Sequence, residues 1–136
     1  MKTKIILMLA IIAVGLSSCK KDLATDWVGT YNGTITGTNN IGRVVISKVN
    51  ENTIKMELQA PTALGYYTYA TIANGSLSSA TTVNINEEGT IYPFTDVYRF
   101  TGSGTRNGNA LVIPLSTAVN KSNSSDIKYY AFNGNK

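Results

Sequence analysis

A two-residue period runs through this chain and limits it to one class of structure. Between Thr53 and Gln59, the apolar residues Ile54, Met56 and Leu58 alternate with Lys55, Glu57 and Gln59, so one face is apolar and the other polar. Leu111, Ile113 and Leu115 repeat the pattern, and Thr81, Val83 and Ile85 alternate with Thr82, Asn84 and Asn86. No stretch beyond residue 19 carries sustained apolar spacing of three and four. The chain is expected to be all β.

Turn residues divide these runs into strands. The first reads from Trp27 to Gly37, with Trp27, Gly29, Tyr31, Gly33 and Ile35 on one face. Glycine between the bulky aromatics suits a strand that bends sharply. Ile41 to Val49 is apolar on both faces around Val44, Val45 and Ile46 and is expected to be central. Thr53 to Gln59 follows and stops at Pro61, which cannot donate to a ladder. Tyr66 to Ile72 precedes a turn at Asn74-Gly75, and Thr81 to Asn86 precedes one at Glu87-Glu88-Gly89, with a short segment from Thr90 to Phe94 beyond it. Asp96 to Thr105 carries Tyr98, Phe100, Gly102 and Gly104 on one side. Asn107-Gly108, a type I′ hairpin signal, joins it to Ala110–Leu115. Ser116 to Ser125 reads as a polar loop and Ile127 to Phe132 as the last strand. About eight antiparallel strands at this spacing suit an up-and-down β-barrel, with a β-sandwich as the alternative.

The first nineteen residues follow another logic. Lys2 and Lys4 precede an apolar run from Ile5 to Leu16, which is too short to span a bilayer and ends in Leu16-Ser17-Ser18-Cys19. The tetrapeptide closely resembles the bacterial lipobox, in which the cysteine is acylated and the chain is cut before it. That resemblance implies a lipoprotein signal peptide over residues 1–18, a lipidated tether over 19–25 starting at Cys19, and a single barrel domain over 26–136. Lys20 after the cysteine favours transfer to the outer membrane, with the domain facing the periplasm or the cell surface. The membrane is then a partner through the lipid, since two or more acyl chains hold a protein at a bilayer.

Charge and side-chain chemistry exclude more than they suggest. The net charge is +4, and losing Lys2 and Lys4 with the leader lowers it to +2. The cations are scattered, so no basic stripe exists for nucleic acid. The chain has no histidine and a single cysteine, which removes Ser-His-Asp, Cys-His, zinc and haem sites built on those side chains. The acidic residues sit in predicted turns, at strand starts or on polar faces, rather than as facing pairs. Ser125 and Lys128 spell Ser-x-x-Lys, but residues three apart on a strand point to opposite faces. No catalytic residue, metal ligand or cofactor is expected.

Asp26 to Gly33, together with Phe100 to Gly104 and Gly108 to Leu111, resembles the first strand and a late hairpin of small lipocalin-like, or calycin-like, bacterial lipoproteins. It departs from true lipocalins in having Thr25 two residues before Trp27 where glycine is usual, and in lacking disulfides. The resemblance implies a barrel that binds an apolar or amphipathic small molecule in its lumen. Tyr67 and Tyr69 on one strand, and Tyr98 and Phe100 on another, are the candidate ligand-binding residues. Nearby Ala70, Gly102 and Gly104 are expected to leave room for a guest. Trp27 is expected to close one end of the barrel. The same aromatics equally suit a filled barrel, in which they pair across strands. The protein is then a structural module of the envelope, or one that contacts another envelope protein or a glycan.

Overall fold

Eight antiparallel strands follow one another around a closed barrel, each bonded to its sequence neighbours and the last to the first. The structure is a computed structural model and describes residues 21–35, 40–61, 67–92 and 94–136. The strands are β1 (Gly29–Ile35), β2 (Asn40–Asn50), β3 (Thr53–Pro61), β4 (Tyr67–Leu77), β5 (Thr82–Ile91), β6 (Val97–Asn107), β7 (Ala110–Asn120) and β8 (Ile127–Asn135). The up-and-down barrel expected from the sequence is what forms; the sandwich is not. Closure removes the unpaired strand edge that invites aggregation.

The closing seam depends on two glycines. Gly33 of β1 pairs with Gly134 of β8, and Ile35 pairs with Phe132. A Cβ at Gly33 would collide with the Asn133 carbonyl and the Gly134 Cα, so only glycine permits this approach.

One end of the barrel is packed solid. Trp27, Tyr31, Ile46, Ile54, Met56, Val83, Ile85, Leu111, Ile113 and Phe132 are each 2% exposed or less. Burying a large apolar side chain completely contributes about 1.5–3 kcal/mol, so this floor carries much of the stability. Trp27 lies in a single 3₁₀ turn, Thr25–Trp27, that caps the end just before β1. The Tyr31 hydroxyl donates to the Trp27 carbonyl at 3.0 Å, and the Arg106 guanidinium stands 5.8 Å from the indole centroid. Asp22 to Thr25, read from sequence as the end of the tether, also lie against this end: Ala24 is fully buried, and the Leu23 and Ala24 amides both donate to the Glu51 carbonyl.

Several sequence boundaries are corrected. Asn74-Gly75 is no turn: β4 continues to Leu77 through an irregularity between Ile72 and Ser76, and the chain reverses at residues 78–81. Glu87-Glu88-Gly89 likewise stays in β5, with Gly89 paired to both Ile72 and Tyr98. Glu87 stands opposite the buried Phe100 and is half-buried, a place where alternation alone would put an apolar residue. The β6–β7 corner falls on Gly108-Asn109, because Asn107 still pairs with Ala110; Gly108 takes φ +58°. A bulge in β7 has the largest consequence. Pro114 and Leu115 take up one residue more than either neighbouring strand supplies. Proline has no amide to give a ladder, so the irregularity falls where pairing is already broken. Leu115, expected to face inward with Leu111 and Ile113, is 69% exposed, while Ser116, Ala118 and Asn120 are buried. The polar loop expected from Ser116 is therefore strand as far as Asn120.

Candidate functional site

Among the described residues, the opposite end of the barrel carries an apolar recess. A cavity of about 210 Å³ lies there, lined by Ile35 at the end of β1, Leu58 and Ala60 of β3, Ile91 of β5, Phe94 of the β5–β6 connection, Phe100 of β6, Ala118 of β7, and Lys128, Tyr129 and Tyr130 of β8. That volume equals about seven waters at liquid density, so it accepts a short hydrocarbon segment rather than a large ring system. The lining is built by alternation: Lys128, Tyr130 and Phe132 share a strand face, and the β7 bulge turns Ala118 inward beside them. The Phe100 and Tyr130 rings meet edge to face, 5.7 Å apart and inclined at 66°. Buried at the cavity wall, the Tyr130 hydroxyl donates to the Thr101 carbonyl at 3.3 Å, and burial pushes its pKa up to about 12.

A polar cluster fixes the rim on one side. Asp126 accepts hydrogen bonds from Lys128 Nζ at 2.5 Å, from the Tyr98 hydroxyl at 2.8 Å and from Asn120 Nδ2 at 3.3 Å. The lysine contact comes first among the causes that hold its pKa down near 2; the same pairing raises that of Lys128, and the hydrogen bond to Asp126 raises that of Tyr98. Asn120 Nδ2 also donates to Asp96 Oδ2 at 3.1 Å, and its Oδ1 accepts the Ser122 and Asn123 amides. The β7–β8 connection is thus tied down from within. Lys128 Nζ stands 5.7 Å from the Phe94 ring, and Phe94 and Tyr129 are 51% and 64% exposed at the mouth. An apolar pit bordered by an ion pair and hydroxyls can hold a hydrocarbon tail and offer hydrogen bonds to whatever head group the tail carries.

The residues singled out from sequence fare unevenly. Phe100 lines the cavity. Tyr98 is buried, but its hydroxyl is spent on Asp126 and it does not line the cavity. Tyr67 and Tyr69 pair through their backbones with Pro61 and Gln59 of β3; their side chains, like Cys19 and the signal segment, lie outside the described residues. In the sheet, β5 lies between β4 and β6. Gly102 and Gly104 leave no room for a guest: a Cβ at Gly102 would strike the Ser116 side chain, and one at Gly104 would stand 3.0 Å from Val83. Sequence reasoning missed Lys128, Ala118, Leu58 and Ile91 as lining residues. The signal for Lys128 was present, since it shares the two-residue period of Tyr130 and Phe132.

No known family profile matches the chain, and comparison with curated proteins finds no match.

Proposed function

We propose that this chain is a lipid-anchored envelope protein of calycin-like type that binds the apolar part of a small amphipathic molecule in the mouth of its barrel. The observation that carries this reading is the apolar cavity that the described residues form at the end opposite the packed floor. The tail would rest against Leu58, Ile91, Phe100 and Ala118, while the head group would meet Lys128 at the rim. The anchor would be the acylated thiol of Cys19, and the binding is non-enzymatic. The exposed rim aromatics Tyr92, Phe94 and Tyr129 favour a second role for the same end, as a contact surface for an envelope protein. A thermal-shift screen of single-chain amphipaths against the protein and against Ala118→Leu tests the binding reading. At least one compound should raise the midpoint of the parent and leave that of the variant unmoved; equal responses, or none, would reject the cavity as the binding site.

A further inference from the structure

The tether leaves the barrel from the end opposite the cavity, and it is short. The Asp22 carboxylate accepts hydrogen bonds from Lys48 Nζ, from Thr25 Oγ1 at 2.8 Å and from the Ala24 amide at 3.1 Å. The Leu23 and Ala24 amides donate to the Glu51 carbonyl at 2.9 and 3.1 Å, so the chain is clipped to the β2–β3 turn beside Trp27. Cys19 stands three residues before Asp22, a span of about 10 Å when fully extended. The cavity lies at the far end of strands of up to 11 residues. At about 3.3 Å per residue and a tilt of about 40°, that end is about 25–30 Å away.

We infer that the protein stands on its closed end, with the cavity mouth turned to the aqueous compartment away from the bilayer that anchors it. This rests on the reading of Cys19 as acylated. For the mouth to face its own membrane end-on, the Asp22 clip would have to rise about 25–30 Å above the lipid surface, and a reach of about 10 Å cannot supply that. The exposed aromatics at the rim resemble, taken alone, a surface that dips into lipid. Tether length excludes a barrel standing on its mouth at the anchoring bilayer, and a barrel on its closed end turns those side chains to the aqueous side.

The test uses the lipidated protein extracted from its producing cells and reconstituted into phosphatidylcholine–phosphatidylglycerol vesicles carrying a trace of acceptor-labelled lipid. With the Cys19 thiol acylated, a cysteine introduced elsewhere is the sole reactive thiol. Asn52→Cys at the closed end and Tyr129→Cys at the mouth are both exposed positions that can take the same donor dye. Energy transfer to the lipid should be several-fold more efficient from position 52 than from position 129. Equal transfer, as from a barrel lying on its side, or stronger transfer from position 129 overturns the orientation. Failure of the parent protein to float with vesicles, with no lipid label at Cys19, overturns the anchor reading and the orientation with it.

Discussion

Ala118→Leu separates a hollow mouth from a filled one by the sign of a stability change. Ala118 is 1% exposed yet borders a cavity of about 210 Å³, so three added carbons have somewhere to go. At about 0.8 kcal/mol per buried methylene they contribute about 2.4 kcal/mol. Restricting the leucine rotamers takes back about 0.5–1 kcal/mol. The variant should gain about 1.5 kcal/mol, which raises the thermal midpoint by about 6 °C at about 4 °C per kcal/mol for a domain of this size. Val83→Ile, in the floor, is the counterpart. Val83 is fully buried, and its methyls already lie where Cβ atoms on Gly75 and Gly104 would stand. Forcing a methylene into such packing costs about 1–3 kcal/mol, a fall of about 4–12 °C. Thermal melts followed by circular dichroism, with urea titrations to check that the slope is unchanged, read both. If Ala118→Leu falls as Val83→Ile does, the mouth is filled in solution and the binding reading loses its ground.

Three other perturbations probe the frame around that site. Trp27 is fully buried, so its emission should be blue-shifted in the folded protein and Trp27→Ala should cost about 3–5 kcal/mol; emission typical of a solvated indole would remove it from the closed end. Gly33→Ala should cost about 3 kcal/mol or more, because its Cβ would meet backbone rather than a side chain that can turn aside; an unchanged urea midpoint would mean the seam is elsewhere. The Asp126 carboxyl is held near 2 against an ordinary 3.8, chiefly by Lys128. A depressed carboxyl contributes stability that is present above its unfolded value and lost as pH falls toward its folded one. The stability difference between the protein and Asp126→Asn should therefore shrink between about pH 4 and pH 2; a difference constant across that window would show that the Asp126–Lys128 pairing is absent in solution.

The fold class was legible because burial in a barrel follows the same two-residue period as the side chains. Ile54, Met56 and Leu58 are all buried, as the alternation required. What stayed hidden were the places where the period slips. Pro114 and Leu115 extend β7 by one residue, and from there the inward set changes from odd to even numbers, which no count of apolar residues reveals. Asn74-Gly75 carries the composition of a turn and sits in an irregular stretch of β4. Glu87 and Glu88 look like solvated turn residues, yet both carry ladder pairs with β6. The site suffered most from the slip in β7, since Ala118 and Asn120 point inward only because of it.

The β7 bulge also accounts for the cavity itself. Without the extra residue, the inward positions after Ile113 would be Leu115, Thr117 and Val119, a series that reaches far into the lumen. With it, Ser116, Ala118 and Asn120 turn inward. Ser116 occupies the space over Gly102, its hydroxyl bonded back to the Pro114 carbonyl at 2.8 Å. Asn120 spends its amide on Asp96 and Asp126 and its carbonyl on the following turn, so it braces the rim instead of filling the pit. Between them Ala118 presents a single methyl opposite Phe100, and the missing volume is the cavity. One slipped register therefore does two jobs: it turns the small Ala118 toward the recess, and it turns Asn120 inward, where its amide holds Asp126 beside Lys128.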